Sequence, residues 1–116
     1  MRKPFKKNIS DIPMEDAHDG SGSRQVLLDE NDAVSSQFQA ATKGFLKSGN
    51  CYDWHDHKAI DEMWIVLDGE GFIEYKDGTK FSYKKDDIIY NPAELSHKIV
   101  AEGSTDSIYY FIRFNS

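Results

Sequence analysis

Short apolar stretches separated by turn residues run through the second half of the chain. Three of them alternate with Asp-Gly turns, and they are Met63 to Leu67, Phe72 to Tyr75 and Phe81 to Tyr83. Asp-Gly between β-rich stretches favours a tight hairpin, because glycine adopts the positive φ that such a turn requires. We therefore predict two successive hairpins that form a β-meander over these residues.

Similar stretches before and after this region predict further strands. They are Val26 to Leu28, Gln37 to Leu46, Ile88 to Tyr90, His97 to Val100 and Ile108 to Phe114. Asn91-Pro92 and Glu102-Gly103-Ser104 supply turns between the later strands. Many short strands at close spacing, with no segment of helical period, predict an all-β sandwich or barrel.

The first residues of the chain differ from the rest, since residues 1–23 are rich in charged residues, Gly, Ser and Pro. The run Asp19-Gly20-Ser21-Gly22-Ser23 contains no side chain that could anchor a core. We predict a flexible N-terminal arm over residues 1–23 and one β-barrel domain over residues 24–116. The length of 116 residues is that of a single domain.

Charge and composition exclude several classes of partner. The formal net charge of -6 argues against a nucleic-acid partner, since binding a polyanion requires a basic face. No apolar stretch approaches the roughly 20 residues that span a bilayer, so no membrane partner is expected. Cys51 is the only cysteine, which excludes an intramolecular disulfide and fits a reducing compartment. We expect a cytoplasmic protein whose ligand is a small molecule.

Candidate metal ligands cluster just before the predicted meander. His55 and His57 are two residues apart, so in a strand their imidazoles point to the same side. Glu62 follows after a connection of hairpin length and can return opposite them on a neighbouring strand, while His97 arrives from a distant strand. Three imidazoles and one carboxylate suit one divalent ion of Fe, Mn, Ni, Co, Cu or Zn, with open positions left if the ion is octahedral. His-x-His alone is equally compatible with scattered surface histidines.

The spacing of these residues resembles the first motif of the cupin family. That motif is Gly, five residues, His-x-His, three or four residues, Glu, six residues and Gly. Every position is met, by Gly49, His55, His57, Glu62 and Gly69.

The second cupin motif is met in part. It requires Gly, five residues, Pro-x-Gly, two residues, His, three residues and Asn. Pro92 and His97 match, whereas Asp86, Glu94 and Ala101 stand at the remaining positions. The family glycine at the place of Glu94 sits in a turn of positive φ, which is uncommon for other residues. The spacing from Pro92 to His97 is retained, so the metal ligand is expected to stay in place.

The resemblance implies a single cupin jelly-roll β-barrel with one divalent transition-metal ion on His55, His57, Glu62 and His97. It also implies dioxygenase, isomerase or lyase chemistry on a small organic molecule, at an ion with open coordination positions. The alternative is a non-catalytic cupin module that binds or senses a small metabolite. The sequence leaves the native metal, the substrate and the reaction open.

Strand parity indicates which side chains line the predicted pocket. Trp64 follows Glu62 by two residues and is expected to face the cavity. In the last strand, Arg113 shares parity with Tyr109 and Phe111, and a charge prefers water to a barrel interior. Tyr110 and Ile112 are therefore expected to face inward.

Three further residues are weaker candidates. Asp53 shares the parity of the two neighbouring histidines and could orient one of them, although we favour a carboxylate at the rim. Thr42 lies on the strand before the first motif and is a similar candidate. Arg24 could clamp a carboxylate substrate, but an isolated arginine at a strand start is usually solvated.

The opposite face of the predicted meander is apolar. Met63, Ile65 and Leu67 alternate with the inward positions, and three large apolar side chains make a patch that a monomer would rarely leave bare. We predict a homodimer that buries this face, since two-fold pairing is the commonest closed oligomer and small cupins resembling this chain usually adopt it. The N-terminal arm or a second sheet layer could cover the face instead.

Overall fold

The computed structural model describes residues 3–17, 22–32 and 34–116. Within these ranges the chain forms two short 3-10 helices, Ile9–Asp11 and Glu30–Asp32, and ten strands. The strands are β1 (Glu15–Ala17), β2 (Gly22–Asp29), β3 (Phe38–Leu46), β4 (Cys51–His55), β5 (Ile60–Asp68), β6 (Glu70–Tyr75), β7 (Lys80–Lys84), β8 (Ile88–Asn91), β9 (His97–Glu102) and β10 (Ser107–Asn115). No helix of the described ranges is long and apolar enough to cross a membrane.

The strands form two antiparallel sheets. One has six strands in the order β1-β2-β3-β10-β5-β8, and the other has four in the order β4-β9-β6-β7. This arrangement confirms the predicted all-β jelly roll. The stretches that the sequence assigns to strands all lie in strands, except that β3 begins at Phe38 and leaves Gln37 in the preceding turn.

Of the two hairpins predicted for the meander, the second is confirmed and the first is wrong. β6 and β7 form a hairpin around the second Asp-Gly, but β5 pairs with β8 and β10 in the other sheet. The Asp68-Gly69 turn therefore carries the chain from one sheet to the other. An Asp-Gly pair indicates a sharp turn, but it does not determine whether the two strands that flank the turn pair with each other. That pairing depends on long-range packing.

The core lies between the two sheets and is rich in aromatic rings. Burial alternates along β3, β5 and β10, as expected for strands with one face on a core. Fully buried members include Leu46, Val66, Ile73, Ile99 and Tyr109. The Tyr83 hydroxyl lies 2.7 Å from both the Tyr109 hydroxyl and the Ser107 hydroxyl, so the phenol groups in this core are hydrogen-bonded.

The described part of the N-terminal segment is hydrogen-bonded to β2. β1, which the sequence did not predict, pairs with β2, and the Gln25 side-chain amide donates to the carbonyls of Ile9 and Ile12 at 3.0 and 2.9 Å. Because these contacts are made by the polar side chain of Gln25 and by backbone pairing, the pattern of apolar residues could not predict them. β2 begins at Gly22, just inside the predicted arm, and the division into arm and domain stays a prediction.

The glycine positions of both motifs are backbone positions of positive φ. Gly49 and Gly69 have φ of 89° and 88°, and Asp86 and Glu94, which stand at the glycine positions of the second motif, have φ of 74° and 69°. The turn at Glu94 thus keeps the family geometry without glycine. The Glu94 N–H donates to the carbonyl of His57 at 2.9 Å, which ties the second motif to the first.

Candidate metal centre

The three histidines of the motifs lie together at one end of the sandwich. His55 ends β4 and His97 begins β9, and the two are register partners in the four-stranded sheet. Their ring centroids are 4.4 Å apart. The ring of His57, which follows β4, lies 5.4 Å from that of His55 and 6.4 Å from that of His97.

Glu62 reaches these histidines from the opposite sheet. It lies on β5 of the six-stranded sheet, so the prediction that it returns on a strand paired with the histidine strand is wrong. Its Oε2 is 3.6 Å from His57 Nε2, and its Oε1 is 3.9 Å from His97 Nε2. Both separations exceed ordinary hydrogen-bond lengths.

Several buried polar atoms at this place have no hydrogen-bond partner. They include His57 Nε2, His97 Nε2 and Glu62 Oε1. Buried polar atoms are normally paired, so each exception requires an explanation such as an ion or a ligand. Among the residues that the structure describes, no group of three or more His, Cys, Asp or Glu side chains is arranged to hold a metal ion as it stands.

The protonation states of this cluster suit metal ligands. Burial lowers the pKa of His97 to about 4, with His55 adding to this effect and Glu62 opposing it. Burial also lowers the pKa of His57 against the opposing charge of Glu62. Burial alone would raise the pKa of Glu62, but the charge of Arg113, joined by that of His57 when acid protonates it, outweighs burial and holds that pKa below its usual range. Neutral imidazoles therefore face an ionised carboxylate, the forms in which these groups bind metals.

His55 is oriented by the backbone of Asp53. Its Nδ1 lies 2.7 Å from the Asp53 carbonyl, which directs the other ring nitrogen away from that carbonyl. The Asp53 carboxylate is exposed and accepts from the Trp54 N–H at 2.8 Å, so it occupies the rim. The register of β4 is irregular between Tyr52 and His55, so Asp53 and His55 do not share a regular strand parity.

Trp64 and Thr42 are both buried. The Trp64 ring lies 5.5 Å from the His97 ring and 4.8 Å from the Phe111 ring, so it forms a wall beside the histidines. Thr42 on β3 is the register partner of Phe111.

The expected orientation of Tyr110 and Ile112 is wrong. Ser107, Tyr109 and Phe111 are the buried residues of β10, and Arg113 shares their parity. The Arg113 Nε donates to Glu62 Oε2 at 2.8 Å. Because the buried carboxylate of Glu62 on the neighbouring strand compensates the charge of Arg113, this side chain does not have to face water.

Comparison with known proteins gives the family. A family model described as Cupin domain matches residues 45–113. The chain belongs to the cupin family. The match includes His55, His57, Glu62 and His97, and it ends at Arg113.

Two curated relatives of this cupin are uncharacterized proteins. YdbB of Bacillus subtilis (strain 168) is 40% identical over 47 residues, which cover 40% of this chain and 42% of that protein. MJ1618 of Methanocaldococcus jannaschii is 31% identical over 81 residues, which cover 70% of this chain and 62% of that protein. The matched part of this cupin thus spans only 42% and 62% of the length of these relatives.

Solved structures share the fold of this cupin. A Thermotoga maritima protein described as a predicted oxalate decarboxylase superposes with a TM-score of 0.84 at 21% identity, over 97% of this chain and 100% of that chain. Ectoine synthase from P. lautus superposes with a TM-score of 0.81 at 18% identity, over 97% of this chain and 78% of that chain. At these identities the likeness establishes the jelly roll alone.

Sequence reasoning missed Asn91 and Tyr75 at the site of this cupin. Asn91 on β8 is the register partner of Glu62, and its Oδ1 accepts a short hydrogen bond from the Tyr75 hydroxyl. The Tyr75 ring lies 6.0 Å from the His97 ring. Asn91 precedes Pro92 and reads as a turn residue, so only the pairing of β8 with β5 reveals its place.

Proposed function

We propose that this cupin binds one divalent transition-metal ion on His55, His57, Glu62 and His97 and acts there on a small organic molecule. The carrying observation is that His57 Nε2, His97 Nε2 and Glu62 Oε1 are buried and unpartnered, and that the two imidazole nitrogens lie 3.6 and 3.9 Å from the oxygens of the Glu62 carboxylate. A cation bound between them would accept the lone pairs of the two neutral imidazoles and would also compensate the negative charge of the carboxylate.

The surrounding residues of the chain would prepare this site. Arg113 holds Glu62 Oε2, which leaves Oε1 for coordination, and the Asp53 carbonyl orients His55. Trp64 and Phe111 supply apolar walls that exclude water. A bound ion would supply a Lewis acid with open positions for a substrate, as dioxygenase, isomerase or lyase chemistry requires.

Metal analysis of protein purified without chelator tests this proposal. We expect about one equivalent of metal in the wild type and almost none in His57→Ala or His97→Ala, since each loses one of four ligands. His18→Ala is the matched control, because His18 is the remaining histidine, lies outside the described residues and is not a predicted ligand. A triple variant of the three ligand histidines that keeps its metal would contradict the site.

A non-catalytic binding module is the second candidate. Arg113 stabilises the ionised form of Glu62 and the Tyr75 hydroxyl donates to Asn91, so neither group directs a proton at a bound ligand. Burial raises the pKa of Tyr75 to about 12, which makes it a poor general acid near neutral pH. A turnover screen with phenols, keto acids and uronic sugars separates the candidates: tight binding without turnover favours the module.

We also propose that the protein is a homodimer. The outward side chains of Met63 and Ile65 on β5 lie beside those of Tyr90 and Ile88 on β8, their register partners. Ile88 and Tyr90 are 70% and 61% exposed, and β8 is an edge strand of its sheet. A second copy packed on this face would remove its apolar surface from water, which is favourable.

A cytoplasmic location stays our expectation, supported by the single free cysteine.

A further inference from the structure

His55 lies on a segment whose conformation the sheet alone does not fix. β4 is an edge strand, so it pairs with a neighbouring strand, β9, on one side only. That pairing is irregular between Tyr52 and His55, which leaves Asp53 and Trp54 outside the regular ladder. An irregular step bends a strand locally and redirects the side chains beyond it. The direction of the His55 ring therefore depends on contacts with residues outside β4.

Ser96, the residue before β9, makes one of these contacts. Its hydroxyl donates to the carbonyl of His55 at 3.3 Å, and its own carbonyl accepts from the Lys76 N–H at 3.0 Å. Lys76 follows β6, whose last residue, Tyr75, is the register partner of His97. Ser96 thus joins the irregular end of β4 to the regular pairing of β6 with β9.

Lys76 makes a second contact with the same segment. Its Nζ lies 3.9 Å from the centroid of the Trp54 ring, and Trp54 directly precedes His55. An ammonium group over an indole ring is attracted by the negative face of the ring. The segment of residues 54 and 55 is thereby held by residues that adjoin β6 and β9.

The orientation of this segment determines which nitrogen of His55 can bind an ion. Its Nδ1 lies 2.7 Å from the Asp53 carbonyl, and a carbonyl oxygen only accepts, so Nδ1 carries the proton and Nε2 presents a lone pair. Residues 53 and 55 lie within the irregular part of β4, so their relation requires support. Loss of a group that orients a metal-binding histidine typically weakens metal affinity about 10- to 100-fold.

We propose that Ser96 and Lys76 are positioning residues for His55, which hold it in the tautomer and orientation that direct Nε2 towards the ion. This inference deepens the proposed function and rests on it, because the orientation serves an ion bound at His55. The competing explanation is that both contacts only stabilise the fold. Contacts of that kind would change the free energy of unfolding and leave the metal affinity of the folded protein unchanged.

The test measures the Co²⁺ affinity of the folded full chain by competition with a chromophoric chelator, alongside urea unfolding of the metal-free protein. We expect Ser96→Ala to weaken Co²⁺ binding roughly 10-fold and Lys76→Met roughly 3-fold. Ser96→Thr keeps the hydroxyl and should bind Co²⁺ as tightly as the wild type.

Two matched controls remove contacts of the same kind elsewhere in the protein. The Ser48 hydroxyl donates to the Gly103 carbonyl at 2.5 Å, and the Nζ of Lys80 lies 4.3 Å from the centroid of the Phe72 ring. Ser48→Ala and Lys80→Met should therefore leave the Co²⁺ affinity unchanged.

Nuclear magnetic resonance of the metal-free protein gives a second readout. Long-range proton–nitrogen spectra of the histidine rings identify the nitrogen that carries the proton. We expect the proton of His55 at Nδ1 in the wild type and a mixture of the two tautomers in Ser96→Ala.

Each outcome decides one of the two proposals. Ser96→Ala that binds Co²⁺ as tightly as the wild type overturns the positioning role. Ser96→Thr that binds as weakly as Ser96→Ala overturns it as well, because the hydroxyl would not be responsible. A wild type that takes up no Co²⁺ contradicts the metal centre alone, and an unchanged His55 tautomer in Ser96→Ala then overturns the positioning role. If Ser96→Ala does not fold, Lys76→Met replaces it: a larger loss of Co²⁺ affinity than in Lys80→Met supports the role, and an equal affinity overturns it.

Discussion

Mild acid should destabilise the metal-free protein before most carboxylates titrate. Burial lowers the pKa of His97 from 6.5 to about 4, so the folded state resists a proton that the unfolded chain accepts. The contribution of His97 to stability is therefore complete above its unfolded pKa and is lost as the pH falls from about 6.5 towards 4. Between about pH 7.5 and about pH 5 this loss amounts to about 2 kcal/mol. His57, whose pKa is also lowered, adds to the loss in the same direction.

Urea unfolding of chelator-treated protein measures this loss. Tryptophan fluorescence would follow the transition at several pH values across that window, and His97→Gln serves as the comparison because it removes the titrating group. We expect the variant to be less stable than the wild type near neutral pH and to lose about 2 kcal/mol less on acidification. Equal losses in the two proteins, or a wild-type stability that does not change with pH, would refute the assignment of a buried neutral imidazole to His97.

Three other measurements test separate parts of the structure. Mn²⁺ at about a hundred times its Kd should raise the unfolding free energy by about 2.7 kcal/mol. A denaturation midpoint that does not change when chelator is added would contradict a metal site specific to the folded state. Ile65→Asp should convert the dimer to a monomer in light scattering, whereas a wild type that is already monomeric would rule out the interface. Gly71→Ala should destabilise the fold by about 2 kcal/mol or more, because its Cβ would lie 1.9 Å from the Val100 carbonyl. Gly78→Ala, which meets no atom within 4 Å but has a φ of 93°, should be less costly in the same urea assay.

The sequence was sufficient to predict most of the strands, although not β1, and to propose the four candidate ligands. Local alternation defines a strand, and the spacing of His55, His57, Glu62 and His97 lies within two short motifs. The substitution of Glu94 for the family glycine did not change the turn, because its φ of 69° remains accessible to a non-glycine residue.

Local sequence patterns could not predict which strands pair or which residues surround a charged side chain. The Asp68-Gly69 turn reads as a hairpin, yet β5 and β6 belong to different sheets. Arg113 was placed outward because its partner Glu62 lies on a strand distant in sequence. The sequence left two roles open for Asp53, because one irregular step in β4 interrupts the parity that it was assumed to share with His55.

The division of the candidate ligands between the two sheets bears on how the protein would come apart. His55 and His97 belong to the four-stranded sheet and Glu62 to the six-stranded sheet. An ion bound to both would act as a cross-link through the middle of the sandwich, much as a disulfide joins distant parts of a chain. The sheets could then separate only after the ion is released. The lifetime of the folded protein would be governed by metal dissociation, a kinetic form of stability that equilibrium unfolding does not measure.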